Sequence, residues 1–347
     1  MTSSSFHILV IRLSAMGDVA MTVPVLQRLL AKYPQLELTI VTKPFFASIY
    51  KQLPRTRIIQ FHSKAQHKGI LGVLRFVSEL KQIRIDAVAD LHDVLRTKLL
   101  RFFLSVKGIK VKKIDKGRQE KKALIRPSNK VLKQLKTMHQ RYADVFENLG
   151  FSIDLTEKLE TIKFPISQKI SIDEEKTLIG IAPFAAHRAK QYPIDSMKFI
   201  IEELLKRNDV QLFLFGGGEK ELKELSHIAQ KFNGIQVVAD KLTFEEELQL
   251  ISNLNLMLSM DSGNGHLAAM FDVPVITIWA GTHPFIGFTP FGQLEENQIT
   301  PDLNKFPYLP NSVFGTTPLQ EYDEIMDSIK TEDILNRVNA LIEQKLA

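Results

Sequence analysis

Residues 261–266 read Asp-Ser-Gly-Asn-Gly-His and follow a short apolar run, so a strand leads directly into polar groups and glycines. Asp261 supplies an acceptor and Ser262 a hydroxyl where a following helix would point its first N–H groups. Gly263 and Gly265 remove side-chain bulk, so a phosphate or a ribose can come close. His266 stands at the start of that helix, where it could meet a ligand or satisfy a structural role. The tract Gly281-Thr282-His283-Pro284 would border the same crevice after the next strand. Residues 12–18, Arg-Leu-Ser-Ala-Met-Gly-Asp, form a second loop of this kind. Gly17 allows close backbone approach there, with the following helix N-terminus able to face an anion, and Asp18 lies near that helix start, where it could simply be a first-turn acid. A third loop, residues 183–193, carries Arg188 and Lys190, cations that could hold the charge of a departing phosphate or could merely be solvated. A fourth, Gly216-Gly217-Gly218, is either a tight turn or backbone beside a ligand.

These loops need strands behind them. In the first half, strands are expected at residues 7–13, 36–42, 57–61 and 87–91, alternating with helices at 18–32, 70–83 and 94–104. Residues 115–129 read as a loop, and a helix is expected over 139–149. The pattern restarts at residue 178 and runs through strands at 178–183, 210–215, 236–238, 256–260 and 273–279. Helices fall between them, at 195–207, 219–232, 244–253 and 265–271. Strands alternating with helices of this length imply parallel βαβ units. Two such runs predict an α/β protein of two doubly wound domains. Their joint is expected in the polar segment near residues 164–175, and a last amphipathic helix over 327–346. Ligands of such sheets sit beyond the carboxyl ends of the strands, where all four loops lie.

The chain has 347 residues, 44% of them apolar and 24% charged, enough to build two cores. It has no cysteine, which excludes a disulfide scaffold, a thiol nucleophile and a Cys-ligated zinc, and fits a reducing compartment. No basic leader precedes the first strand, and no apolar run approaches the roughly 18 residues of a membrane span, so the expected location is cytoplasmic. The loop at 12–18 lacks the Gly-x-Gly-x-x-Gly of a dinucleotide site and the Gly-Lys-Ser/Thr of a Walker loop. No nucleic-acid module is visible. Charge is uneven: residues 107–141 hold 13 Lys and Arg against Asp115 and Glu120. Such an excess suggests an anionic partner: nucleic acid, phosphorylated lipid or a membrane surface.

Residues 12–19, residues 261–269, Pro274 and residues 281–284 together resemble the lipopolysaccharide heptosyltransferases, glycosyltransferase family 9. The similarity runs from about residue 7 to about residue 290. The resemblance implies a GT-B architecture of two Rossmann-like domains facing across a cleft: an acceptor-binding domain over 1–165, a nucleotide-sugar domain over 175–325, and a C-terminal helix over 326–347 returning toward the first. It implies inverting, metal-independent transfer of heptose from ADP-L-glycero-D-manno-heptose to the Kdo–lipid A region or a core heptose, with no cofactor beyond the donor. Asp18 would be the catalytic base. Lys190, with Arg188 in reserve, and Asp261, Ser262, Gly263, His266, Gly216 and Gly217 would hold the donor. Ser14 and Gly17 would border the acceptor. Lys112, Lys113, Lys121 and Lys122 would bind its anionic groups and hold the enzyme weakly at the inner face of the inner membrane. No nucleic-acid partner is expected. Ser262 stands where many relatives have threonine, which keeps the hydroxyl. A relative using another nucleotide sugar, or one that binds without catalysis, would retain the Asp261–His266 tract.

Overall fold

Strands buried on both faces of a parallel sheet need apolar side chains at nearly every position, and β1 (Phe6–Ile11) is fully buried from Ile8 onward. The computed structural model describes residues 5–232 and 234–346. Its contacts divide the chain into two units, Met1–Lys116 with Met138–Glu160, and Gly117–Thr137 with Thr161–Ala347.

In the first unit β1 is followed by α1 (Met16–Ala20), α2 (Val23–Lys32), β2 (Leu36–Thr42), β3 (Thr56–Gln60), α3 (Gly69–Glu79), β4 (Ala87–Asp90), α4 (Leu95–Ser105) and β5 (Lys110–Lys113). After α5 (Arg118–Leu124), which belongs to the second unit, α6 (Met138–Glu147) returns and packs on α2. All five strands are parallel, in the order β3-β2-β1-β4-β5. The single helix expected over residues 18–32 is two helices. Pro24 has no N–H to continue the first, and Thr22 Oγ1 donates to the Val19 carbonyl at 2.7 Å, so the helix restarts with Pro24 in its first turn.

The second unit adds β6 (Thr177–Ala182), α7 (Ile194–Leu205), β7 (Val210–Leu214), α8 (Glu219–Lys231), β8 (Ile235–Val237), α9 (Phe244–Ile251), β9 (Leu256–Met260), α10 (Gly263–Ala269), β10 (Val275–Ile278), β11 (Gln298–Ile299), α11 (Tyr322–Asp327) and α12 (Thr331–Leu346). Its six strands are parallel in the order β11-β10-β9-β6-β7-β8. Two doubly wound α/β units are therefore present, as the alternation predicts.

Three expectations need correction. Residues 115–129 are not a loop throughout, because α5 lies within them. The first domain does not run unbroken to residue 165: Leu124 and Leu135 are buried against Ile286 of the second unit, and these apolar side chains draw residues 117–137 away with them. The C-terminal helix, expected as a separate element, belongs to the second unit. It packs on α7 and buries Ile334, Val338 and Ile342 in the second unit's own core.

Two adjacent carboxyls at the start of α9 show how burial sets the charge. Glu246 closes a capping box with Thr243 and is held down at about 2 by the Thr243 backbone N–H, then by Lys169 and Ser167. Glu247 is half-buried, and desolvation, with Asp240 adding repulsion, raises it from 4.5 to about 7. The unfolded chain therefore releases the Glu247 proton first, so stability falls as pH rises from about 4.5 to 7 and the loss persists above that. Glu247→Gln is expected to raise Tm near pH 8 and leave it almost unchanged near pH 4, read by thermal melts at both values. An equal Tm for the two proteins near pH 8 would refute the burial argument.

Candidate active site

In a doubly wound sheet two neighbouring strands send their crossovers in opposite directions, and a crevice opens between the loops at their carboxyl ends. In the first sheet those strands are β1 and β4. The loop after β1 carries Arg12 to Asp18, and the loop after β4 carries His92 and Asp93. Arg12 is buried and donates to the Leu91 carbonyl at 2.6 Å, while its other nitrogen lies 2.6 Å from Asp18 Oδ2. Asp18 itself remains partly open to solvent. The Tyr142 hydroxyl of α6 donates to the Asp18 carbonyl at 3.4 Å. His92 Nδ1 accepts the Leu13 N–H at 3.3 Å. Burial, followed by the charges of Arg12 and Lys116, pushes the His92 imidazole down to about 3, so it is neutral and can accept. His92 is itself held by Asp90, whose Oδ1 accepts the N–H groups of His92 and Asp93, both at 2.9 Å.

The second sheet reverses between β6 and β9. The loop after β6 turns through Arg188–Lys190 and brings Lys190 Nζ to 2.8 Å from Asp261 Oδ2 at the end of β9. Both side chains are largely buried, 16% and 8% exposed. Thr282, after β10, donates its hydroxyl to the same Oδ2 at 2.8 Å. The Gly281 N–H donates to the Ala189 carbonyl at 2.7 Å, tying the third loop to the first. Gly315, at φ +74°, lies so close to Lys190 that a Cβ there would stand 2.2 Å from its Cγ; glycine is needed for the chain to pass. Gly265 meets a similar limit, with a Cβ falling 2.6 Å from Ser259 Oγ. Ser262 Oγ is buried with no hydrogen-bond partner among the described residues, and His266 is buried in α10. An acid, a lysine and a threonine thus meet at the mouth of three adjacent strands, with the unpaired Ser262 hydroxyl one residue further along the chain, an arrangement able to bind an anionic ligand.

A model of the family described as glycosyltransferase family 9 (heptosyltransferase) matches residues 73–307. The chain belongs to this family. It is therefore a glycosyltransferase. It is 25% identical to lipopolysaccharide heptosyltransferase 1 of Campylobacter coli, over 96% of this chain and 98% of that one. Among solved structures it is similar to the glycosyltransferase family 9 protein of Veillonella parvula, at 18% identity, TM-score 0.74 and 99% coverage of both chains. It is also similar to Escherichia coli heptosyltransferase WaaC with ADP, at 19% identity and TM-score 0.65, over 98% of this chain and 99% of that one. These likenesses establish the GT-B fold of the two units.

Within this family 9 glycosyltransferase, the residues singled out from sequence separate by unit. Ser14, Gly17, Asp18, Lys112 and Lys113 lie in the first; Lys121, Lys122, Arg188, Lys190, Gly216, Gly217, Asp261, Ser262, Gly263 and His266 lie in the second. Of the two candidate cations after β6, Lys190 meets Asp261, whereas Arg188 is exposed and stacks its guanidinium 5.0 Å from the Tyr322 ring centre. The Gly217 N–H is occupied locally, donating to Glu221 at 2.8 Å, and Gly217 itself faces open space. Lys121 is corrected: it is buried, with its ammonium 3.9 Å from the Phe288 ring centre, a structural cation–π contact and not a solvent-facing acceptor contact. Lys122 is exposed. The sequence assigns no role to Thr282 or His92. Thr282 lies in the 281–284 tract that borders the crevice. His92 sat just past an expected strand, but only the strand order brings that strand beside β1.

Because Lys190 and Asp261 are largely buried, removing one strands the other's charge, at a cost of about 3 kcal/mol. Lys190→Ala and Asp261→Ala are each expected to lose about that much in urea unfolding, and the double variant distinctly less than their sum. Additive losses would mean that the pair is not coupled.

Proposed function

We propose that the protein transfers a heptose from ADP-L-glycero-D-manno-heptose to the Kdo–lipid A region or an inner-core heptose of lipopolysaccharide, with inversion at the anomeric carbon and without a metal. The observation that carries this reading is the Lys190–Asp261–Thr282 cluster at the reversal of the second sheet, in a chain whose similarity to a relative named lipopolysaccharide heptosyltransferase 1 spans 96% of this chain and 98% of that one. The family supplies glycosyl transfer. The side chains supply the two needs of that reaction.

The transition state is oxocarbenium-like, with a bond forming from the acceptor hydroxyl to the anomeric carbon while the bond to the diphosphate breaks. One carboxylate must take the hydroxyl proton, and one positive group must receive the charge left on ADP. Asp18 takes the proton in this reading. Its Oδ2 is held against Arg12, so the carboxylate is oriented before the acceptor arrives, and Oδ1 is the oxygen that receives the proton. Lys190 receives the diphosphate charge, because an ammonium has three N–H donors and Asp261 engages one of them. Ser262 Oγ completes the donor contacts. The helix start behind it contributes little, since α10 has only seven residues. Lys112 and Lys113 on β5, with Lys122, remain the cations assigned to the anionic acceptor.

Two measurements test the reading. In thermal-shift titrations in EDTA, ADP is expected to stabilise the protein by several degrees when near 100 times its Kd, corresponding to about 2.7 kcal/mol. A shift with UDP or GDP instead would keep the glycosyltransferase and discard the ADP-sugar; loss of turnover in EDTA would discard metal independence. Asp18→Asn is expected to keep the ADP shift and lose about 10²–10⁴-fold in kcat. Near-normal kcat in that variant would remove Asp18 from its role.

A further inference from the structure

Helices α3 and α4 lie side by side on one face of the first sheet. Val73, Phe76 and Val77 of α3 and Leu100 and Leu104 of α4 enter the same core, so the opposite faces of both helices look out to solvent together. A helix that covers a sheet should carry polar residues on that outer face. Here it carries Ile70, Leu71 and Leu74 within little more than one turn of α3, and Leu95 and Phe102 of α4 in line with Val106 just past its end. Leu71 is 81% exposed, Leu95 74% and Val106 73%. Single exposed apolar residues are ordinary. Six gathered on two neighbouring helices make a patch of the kind that marks an interaction surface.

The charge on this face is one-sided. Lys68, Arg75, Arg96, Lys98 and Lys107 are exposed on or beside the two helices, and Glu79 is the one acid within either helix. Apolar side chains ringed by Lys and Arg suit the boundary of an anionic bilayer. The leucines and the phenylalanine enter the acyl region, and the long cationic side chains stay at the headgroups. A purely apolar protein surface would cover the leucines but leave the cations without a counter-charge. The basic stretch at 107–141 offers less, because Lys121 lies on Phe288 and Lys130 donates to the carbonyls of Tyr308 and Pro310. No helix among the described residues is long and apolar enough to cross a membrane, so contact through this face would be shallow.

We propose that the outer face of α3 and α4 docks the protein peripherally on an anionic lipid bilayer. The readout is binding and not transfer, so the inference stands apart from the donor and acceptor assigned above. The test is co-sedimentation of the full chain with phosphatidylcholine vesicles, with and without phosphatidylglycerol. Binding is expected with phosphatidylglycerol and is expected to weaken as salt rises. Arg75→Gln with Arg96→Gln should weaken it by about tenfold or more, since each cation near such a surface contributes about fivefold. Leu71→Ser with Phe102→Ser should weaken it at least about tenfold by removing apolar area. All four side chains are exposed, so both variants should melt like the parent, which is checked by circular dichroism. Failure of the parent to bind phosphatidylglycerol vesicles, or parent-like binding by both variants, overturns the proposal. A dimer in sedimentation velocity that Leu71→Ser with Phe102→Ser dissolves, with no vesicle binding, also overturns it and assigns the face to a second copy of the chain.

Discussion

A parallel sheet returns the chain to the same end after every crossover, so each strand releases its loop at one edge of the sheet. Where the winding reverses, two such loops face each other with no helix between them. Both units of this protein obey that constraint. At the β1/β4 reversal the loops bring Arg12, Asp18 and His92 together. At the β6/β9 reversal they bring Lys190 to Asp261, with Thr282 arriving from the adjacent β10.

Both places handle buried charge in the same manner. Arg12 is nearly enclosed, and its guanidinium is answered by Asp18 and by the Leu91 carbonyl. Lys190 is answered by Asp261, whose carboxylate also accepts from Thr282. An ion pair in such surroundings gains little net stability, since desolvation offsets most of the attraction. What it gains is fixed orientation: long side chains that would sample many rotamers are held in one. The close approach of Gly315 to the Lys190 stem serves the same end, because a Cβ there would collide with its Cγ and Cδ.

Residues 107–141 show that net charge does not by itself describe a surface. The apolar residues between the lysines decide where the segment goes, and Leu124 and Leu135 seat it in the second unit. Once there, Lys130 is desolvated, which lowers it to about 8, and it donates to backbone carbonyls. Its charge, with burial as the larger effect, keeps His283 near 4, so that ring stays neutral and accepts the Phe285 N–H. Part of an apparent basic arm is thus internal structure, while Arg75 of α3 and Arg96 and Lys98 of α4 remain in solvent around exposed leucines.

The sequence determined the alternation of strands and helices, the two doubly wound units, the positions of the four loops and the tract from Asp261 to His266. All of these follow from local periodicity and from residue types that suit turns and close approach. It also determined that Lys190 and Arg188 stood near the donor loop, but not which of them would meet Asp261. The turn through Arg188–Lys190 places one side chain inward and the other against Tyr322. Strand order was likewise hidden, since periodicity records that a strand exists and not which strand lies beside it; His92 became a partner of the Asp18 loop only through that order. The crossing of residues 117–137 and the seating of α12 on α7 were decided by where apolar side chains found a core. Such choices depend on surfaces that form only once the chain has folded, and no window of sequence contains them.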